Sequence, residues 1–260
     1  MKKSELVNLL NNRYPFIKKE EWDVCGPMPQ NFKDEVIKGI FVSLDMNMDT
    51  YEKAIKQNCN VIITHHPILL SNDMNVVDKN NMKLIKKLEK NNILNIALHT
   101  CFDGDKTGTS YQIYNVLKNT LKLDKPKYFK NIPYLLEAKL KMKMSLSNLI
   151  DLIKSIKNEY IHDVKYLNKQ EHMTIKNICI GAGSCASYIP NVINNKNTCF
   201  LTGDVKWHNY LDAFNNDLVV VDIGHEAERV FIDGIIDFLN KKNHKLKLIH
   251  DFDFVQIKVK

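Results

Sequence analysis

Short apolar runs alternate with amphipathic segments along most of the chain. The runs at 36–44, 61–64 and 93–98 are rich in branched apolar residues and are short enough to be buried strands. Between them, apolar residues at helical spacing predict one helix that begins at Asp49 and another over 82–88. Strands that alternate with helices predict an α/β fold with parallel sheets flanked by helices and right-handed crossovers.

The same alternation continues through the rest of the chain. In the first half it predicts a helix from Ser4 to Asn11, a partly helical loop over 20–27, a loop over 68–78 and a helix over 110–121. In the second half it predicts strands on either side of Pro133 within 125–143, at 161–167, 175–180, 199–201 and 218–222, and a last strand at 246–257. Helices are predicted over 145–157, from 184 to 193, over 206–214 and over 226–239.

An internal repeat links the two halves. The pattern Ile37-Lys38-x-Ile40 recurs as Ile175-Lys176-x-Ile178, 138 positions later (175 − 37). Thr64 and Thr202, which end two of the predicted strands, have the same separation (202 − 64). Equal spacing at both ends, with like residues at both, predicts two structurally related α/β halves.

Composition narrows the classes of protein. The chain has 260 residues with 44% hydrophobic and 26% charged side chains, which is typical of globular proteins. No apolar run approaches the roughly 20 residues that span a bilayer, and the start lacks an apolar signal core, so we expect neither membrane insertion nor secretion. Six cysteines without a C-x-x-C pair indicate reduced thiols and a cytoplasmic location.

The net charge of +7 is spread along the chain rather than gathered with aromatic residues into a patch. This distribution argues against a nucleic-acid groove. A positive field would nevertheless attract a small phosphorylated substrate.

Histidines and carboxylates follow three of the predicted strands, at the end where open α/β sheets place ligand sites. They are His65 with His66, His99 with Asp103, and His225 with Glu228. Imidazole together with carboxylate suits Zn, Fe, Mn or Ni better than Ca or Mg. Five or six ligands exceed the three that one catalytic zinc takes, which favours two ions that share carboxylates. For the His65-His66 pair alone, one buried, hydrogen-bonded histidine beside a surface histidine is the favoured interpretation, because neighbours on an extended chain point to opposite sides and histidine has intermediate burial.

Three other features allow two interpretations each. The turn Gly181-Ala182-Gly183-Ser184 after a strand could cradle a phosphate or be a plain tight turn. His208 could be a general acid or base, or a surface histidine. Cys101, between His99 and Asp103, is better read as a small buried residue than as a ligand.

Four motifs then occur in a specific order. They are Ile-Ile-Thr-His-His-Pro at 62–67, His-Thr-x-x-Asp at 99–103, Thr-Gly-Asp-Val-Lys-x-His at 202–208 and Asp-Ile-Gly-His-x-x-Glu at 222–228. Together with the Glu21-Trp22-Asp23 region they resemble the dinuclear metal-centre family named GTP cyclohydrolase 1 type 2 homologues, the interacting-factor-3-like proteins. The resemblance covers nearly the whole chain.

The resemblance implies a set of site residues. Two divalent ions, with Zn, Fe, Mn and Ni all open, would be held by His65, His66, Asp103, His225 and Glu228. His99 would lie beside the centre as a catalytic proton-transfer group, and His208 would lie at its rim in a similar role.

The resemblance also implies an architecture. The family has two similar α/β halves with the metal site at strand C-terminal ends between them, assembled as a toroidal homohexamer. We expect a first lobe of 1–124 with 215–260, which carries most metal ligands, and a second lobe of 125–214. The segment from Lys125 to Glu159 is too short to hold the extra domain of some relatives.

The chain departs from the family pattern at two places. Thr107-Gly108-Thr109-Ser110 stands where many members have a Gly-Gly-x-Asn-like turn. Other members carry the last glutamate four residues after the histidine, a position that is Arg229 here, so either Glu226 or Glu228 must serve. We take Glu228 as the ligand.

The leading hypothesis is a metal-dependent hydrolase with a dinuclear centre, acting on a nucleotide or related phosphorylated heterocycle, as in opening of the purine ring of GTP. The first alternative is a protein that binds or delivers metal without catalysis. A weaker alternative is an adaptor for nucleic acid or protein, which predicts binding that survives His65→Ala and is strongly salt-dependent.

Overall fold

The computed structural model describes residues 1–69, 78–156, 160–242 and 245–251. It divides into two compact units, Met1–Asp105 with Phe231–Lys260 (unit 1) and Lys106–Val230 (unit 2). Each unit contains one five-stranded sheet. Within the described ranges, no helix is long and apolar enough to cross a membrane.

Helices and strands alternate along the chain. The strands are β1 (Gly26–Met28), β2 (Ile40–Ser43), β3 (Val61–Thr64), β4 (Leu94–Ala97), β5 (Lys127–Phe129), β6 (Ile132–Ser145), β7 (Thr174–Gly181), β8 (Thr198–Thr202), β9 (Val219–Asp222) and β10 (Leu248–His250). The α-helices are α1 (Lys3–Arg13), α2 (Met48–Lys56), α3 (Lys79–Lys90), α4 (Thr100–Asp103), α5 (Thr109–Leu117), α6 (Leu146–Ser155), α7 (Ile189–Val192), α8 (Trp207–Asn215) and α9 (Val230–Lys242). Short 3-10 turns lie at Phe16–Lys18, Asn168–Gln170, Cys185–Tyr188 and His225–Arg229.

The sheet of unit 1 has the order β1-β4-β3-β2-β10. β10, β2, β3 and β4 are parallel, and β1 runs antiparallel along the edge of β4. Because strand side chains alternate between faces, Val42 and Ile63 pack with residues of α1 and α9, whereas Phe41 and Ile62 pack with α2 and α3. Both faces are therefore covered, which explains why β2 and β3 are apolar up to their last residues, Ser43 and Thr64.

The sheet of unit 2 has the order β5-β6-β7-β8-β9. β7, β8 and β9 are parallel to one another, and β6 runs antiparallel to both of its neighbours, β5 and β7. One face carries α5 and α6 through residues such as Ile113 and Leu149, and the other carries Phe200 and Val220 against Ala213 of α8.

The predicted repeat is confirmed by the strand register. In unit 1 Ile40 pairs with Val61, and in unit 2 Ile178 pairs with Cys199. The two residues of each pair are 21 positions apart in the sequence. Ile178 follows Ile40 by 138 positions, and Cys199 follows Val61 by the same number. The units differ at the neighbouring strand, because β10 is parallel to β2 whereas β6 is antiparallel to β7. The mixed α/β fold with two related sheets flanked by helices is thus as predicted.

Several predicted elements are corrected. The range 161–167 is not a strand, and its Lys165 forms only an isolated bridge to Asp222. The predicted strand at 36–44 begins at Ile40, because Val36 is 63% exposed and forms an isolated bridge to Lys2. Pro133 does not separate two strands but lies inside β6, near its start.

The ends of the first helices are also corrected. Ser4 lies inside α1 and donates its backbone N–H and its hydroxyl to Asp34, while Asn47, not Asp49, caps α2 by accepting from the backbone N–H of Thr50. Most of the predicted loop at 68–78 and the end of the predicted strand at 246–257 fall outside the described residues.

The predicted lobe boundaries at 124/125 and 214/215 differ from the units. Residues 106–124 lie in unit 2 because Ile113 and Leu117 of α5 are buried in its core. Residues 215–230 also lie in unit 2, because β9 pairs with β8. His225 and Glu228 therefore belong to the second unit rather than to the first lobe.

Candidate metal-binding residues

Three imidazoles converge at the C-terminal ends of β3 and β4 in unit 1. One ring nitrogen from each of His65, His66 and His99 lies within 4.8 Å of the others. The ring centroid of His65 lies 4.9 Å from that of His66 and 5.2 Å from that of His99. Such spacing is what a cation bound by several imidazoles requires.

The chain turns sharply at His65, which allows adjacent rings to face one place. The backbone N–H groups of His65 and His66 both donate to the carbonyl of Leu44, at 3.1 and 2.9 Å. Two consecutive amides of an extended strand point in opposite directions, so this shared acceptor marks the end of β3. Of the two sequence interpretations, the structure has both rings on the same side.

Each of the three histidines is held through Nδ1. His65 Nδ1 lies 3.1 Å from the carbonyl oxygen of Leu98, and His66 Nδ1 lies 2.7 Å from Oδ1 of Asp45. Nδ1 of His99 lies 2.9 Å from Oδ1 of Asp23. An acceptor at Nδ1 places the proton there and leaves the Nε2 lone pair to bind a metal ion or accept a proton, which is how proteins orient metal-binding histidines.

Asp103 brings a carboxylate to the same cluster. Its Oδ1 lies 3.6 Å from Nε2 of the fully buried His65. Asp103 and His99 share a side because α4 coils the chain immediately after His99. The structure therefore brings together all four residues of unit 1 that the sequence singled out, and Cys101 is buried beneath them as expected.

Asp23 is a buried residue of this region to which sequence reasoning gave no role. Its carboxylate is fully buried and accepts hydrogen bonds from the backbone N–H and hydroxyl of Thr100. Burial acts to raise the pKa of this carboxyl, but the hydrogen bonds from His99 and Thr100 outweigh it and hold the pKa well below its ordinary value. Asp23 is thus ionised beside His99, and no local spacing could have linked two residues 76 positions apart.

Unit 2 presents a second set of donors around His225. Its Nδ1 lies 2.6 Å from Oδ2 of Asp204, and its Nε2 lies 3.0 Å from Oε2 of Glu228. The 3-10 turn His225–Arg229 places residues three apart on one side, so His225 and Glu228 face each other. Hydrogen bonds to Asp204 and Glu228 raise the pKa of His225 to about 11, so a metal ion bound there would displace a proton.

The glycine turn after β7 accommodates Glu228. Gly183 has φ +61°, and a Cβ atom there would lie 2.0 Å from Oε1 of Glu228. Its carbonyl accepts from the hydroxyl of Thr202 and from the backbone N–H of Gly203. The carboxylate occupies the space in which a phosphate would have to lie, which favours a tight turn over a phosphate cradle.

Ser110 supports the same turn and was not found from the sequence. Its hydroxyl donates to the carbonyl of Tyr134 at 2.7 Å and accepts from the backbone N–H of Ala182 at 2.9 Å. Ser110 lies in the segment where the chain departs from the family pattern. That segment therefore contacts the turn that receives Glu228.

The remaining predicted residues are arranged differently. The carboxyl group of Glu226 lies against Gly224, and Glu228 carries the contact with His225. His208 is exposed in the first turn of α8, and among the described residues of unit 2 it has no hydrogen bond or ion pair. The structure thus has candidate histidine and carboxylate ligands in each unit, and it does not bring His208 to His225 within unit 2.

Comparisons with known proteins find relatives that match nearly the whole chain. A protein of Mycoplasmopsis pulmonis is 33% identical over 91% of this chain and 92% of its own length, and one of Ureaplasma parvum is 34% identical over 93% and 90%. Both are named GTP cyclohydrolase 1 type 2 homolog.

Solved structures share the fold over its whole length. The crystal structure of a hypothetical protein of Staphylococcus aureus has a TM-score of 0.85 at 23% identity and covers 99% of both chains. Reduced HcgD from Methanocaldococcus jannaschii has a TM-score of 0.77 at 25% identity and covers 98% of both. The family model described as Duf34/NIF3 (NGG1p interacting factor 3) matches residues 1–259, and the chain belongs to this family.

Proposed function

We propose that this protein is a metal-dependent hydrolase with a dinuclear metal centre, acting on a nucleotide or related phosphorylated heterocycle. The observation that carries the proposal is the convergence of three imidazoles whose Nδ1 atoms are all held by acceptors. The name GTP cyclohydrolase 1 type 2 homolog, given to the relatives, supports the choice of substrate class.

The proposed ligands of two divalent ions are His65, His66, Asp103, His225 and Glu228. Neutral imidazole and carboxylate suit Zn, Fe, Mn or Ni. When bound, such ions lower the pKa of a coordinated water so that hydroxide is available at neutral pH. Asp45 and Asp204 would orient the imidazoles of His66 and His225 through Nδ1.

His99 is the proposed proton-transfer group. Its Nδ1 is held by the ionised carboxylate of Asp23, which stabilises the imidazolium formed when Nε2 accepts a proton. His208 is exposed on α8 and is proposed as a second proton-transfer group that would contact the substrate from solvent.

The proposal is tested by loading the purified protein with Zn, Mn or Fe and following GTP and a panel of nucleotides by chromatography. We expect about two ions per chain and turnover that His65→Ala with His66→Ala abolishes. The exposed His172 provides a control, because His172→Ala removes an imidazole outside the proposed set. Full metal occupancy without turnover of any nucleotide would contradict the proposal.

A second candidate is metal binding or delivery without catalysis. The strongly basic His225 favours it, because a proton competes with the metal at that imidazole and makes the metal exchangeable. This function predicts two rapidly exchanging ions and no saturable turnover. A competition titration with a metal-sensitive dye, run beside the nucleotide assay, distinguishes the two candidates.

A toroidal homohexamer in the cytoplasm is part of the same proposal and is supported by the resemblance of the motifs. Native mass spectrometry should then give six times the 30.2 kDa of one chain. A monomer at all protein concentrations would contradict the assembly without affecting the metal-binding proposal.

A further inference from the structure

We propose that the exposed face of Trp22 is the stacking surface for the planar heterocycle of the substrate, beside the histidine cluster of unit 1. This inference rests on the proposed function and adds to it a binding residue and the part of the substrate that the residue recognises. It requires an aromatic ring that is exposed, close to His99 and held in place.

Trp22 is both exposed and in contact with the cluster. Its side chain is 56% exposed, although tryptophan is a largely buried residue on average. The indole centroid lies 5.6 Å from that of His99 with an angle of 77° between the planes. The two rings meet edge to face, and the exposed part of Trp22 lies next to the imidazole that is the proposed proton-transfer group.

Thr100 is hydrogen-bonded to residues on both sides of Trp22, to the backbone of Glu20 and to the side chain of Asp23. The backbone N–H of Glu20 donates to the hydroxyl of Thr100 at 2.9 Å, and the backbone N–H of Thr100 donates to Asp23 at 3.0 Å. The ammonium group of Lys19 also donates to the backbone carbonyl of Asp23. Because Thr100 directly follows His99, these bonds fix the position of the indole relative to that histidine.

Exposure alone would not justify the inference, since isolated hydrophobic residues are common on protein surfaces. Trp207, for example, is 68% exposed on α8. Trp22 differs because it contacts a member of the histidine cluster and lies between Glu20 and Asp23, which are both hydrogen-bonded to Thr100. A rigid aromatic face loses little conformational entropy on binding and suits a flat π-system, whereas a phosphate group gains nothing from it.

The chain offers a matched pair of reporters because it contains two tryptophans. Trp207→Phe leaves Trp22 as the sole indole, and Trp22→Phe leaves Trp207. Both variants are loaded with Zn, whose filled d shell does not take part in redox quenching. Each is titrated with GTP, with guanosine and with inorganic tripolyphosphate, while calorimetry measures binding independently.

We expect a saturable change in Trp22 emission with GTP and guanosine and none with tripolyphosphate. Trp207 emission should stay constant under the same additions. Trp22→Ala should weaken binding of guanosine by about tenfold or more, Trp22→Phe should weaken it less, and the affinity for tripolyphosphate should not change. Circular dichroism and metal content of Trp22→Ala show whether the fold and the metal are retained.

Three outcomes would overturn the inference. Guanosine binding that is equal in the wild type and in a folded, metal-loaded Trp22→Ala variant would exclude stacking. A Trp22 signal that follows protein concentration instead of ligand would assign the indole to a contact between copies. Absence of binding by every heterocycle would overturn both this inference and the substrate class, whereas binding at Trp22 without turnover would overturn the hydrolase alone.

Discussion

Oε1 of Glu228 lies 2.0 Å from the point where a Cβ atom on Gly183 would stand. Gly183→Ala must therefore move the Glu228 carboxylate, and it also places alanine at φ +61°. We expect the variant to lose about 1 to 2 kcal/mol of unfolding free energy from the backbone alone and to lose metal bound through Glu228. Elemental analysis and urea unfolding measure the two effects.

Asn131→Ala provides the control for the backbone part of this effect. Asn131 has φ +64° between β5 and β6, and alanine there meets the same conformational cost without touching Glu228. The control should lose stability and retain metal. Equal metal content in both variants would contradict the role assigned to Gly183.

Asp204→Asn should lower the raised pKa of His225, because the hydrogen bond to Asp204 is the largest cause of the rise. The folded pKa of about 11 lies above the ordinary 6.5, so this stabilisation is complete below about pH 6.5 and is lost as the pH rises through about 11. We expect the metal-free variant to be about 1 kcal/mol less stable at neutral pH, a modest value because His225 is partly exposed. Urea unfolding across pH, with NMR titration of the imidazole, tests this expectation.

The pH profile contains its own control. The pKa of Asp204 is lowered by its hydrogen bond to His225, so its part of the stabilisation is lost at acidic pH instead. The difference between wild type and variant should therefore shrink at both ends of the range. A difference that persists at pH values above about 11 would show that the pair does not act through the His225 proton.

Asp23→Asn should destabilise the protein by about 2 kcal/mol at neutral pH, because a buried carboxylate with charge-assisted hydrogen bonds is replaced by an amide. The pKa of Asp23 is lowered, so its stabilisation is present above the ordinary value of 3.8 and is lost as the pH falls toward the folded value. The deficit of the variant should be constant near neutrality and decrease in acid.

Thermal unfolding at a series of pH values measures the effect of Asp23. Asp34→Asn is the matched control, since Asp34 also accepts hydrogen bonds but lies on the surface. If the two substitutions behaved alike, burial would not be the reason for the effect of Asp23.

Asp45→Ala should weaken metal binding about 10- to 100-fold, because Asp45 holds Nδ1 of His66 at 2.7 Å. Asp45→Asn should have a smaller effect, because its amide oxygen can still accept from Nδ1. The exposed Asp49 is the control, and Asp49→Ala should leave the affinity unchanged. Competition with a chelator measures the three dissociation constants, and equal values for all would exclude an orienting role for Asp45.

The strands at the centres of the two sheets could be predicted from the sequence because they are buried on both faces and therefore mostly apolar. Strands away from the sheet centres had a weaker apolar pattern in the sequence. β1 is three residues long with Pro27 at its centre. Pro133 is the second residue of β6, beside the register shift between β5 and β6, where a strand tolerates proline. The predicted lobe boundaries differ from the two units because the pairing of β9 with β8 is a tertiary contact that no local sequence pattern records.

The candidate ligands were predictable because histidines and carboxylates follow apolar strands. The residues that hold them were not, since Asp23 and Asp45 reach their histidines only after the sheet has formed. The role of the turn at Gly181–Ser184 could not be predicted from the sequence for the same reason. Its glycines were visible in the sequence, but the group that they accommodate, the Glu228 carboxylate, became clear only from the structure.

The strand register also relates His66 to Asp204, which stand at the same position of the repeat, 138 residues apart. In unit 1 that position supplies an imidazole, and in unit 2 it supplies the carboxylate that holds the imidazole of His225. The same position of the repeat thus holds a side chain that can bind a cation in unit 1 and a side chain that orients another such residue in unit 2. The two units can therefore differ in chemistry without any difference in secondary structure, because a change of side chain at one repeat position leaves the strands and helices of both units in place.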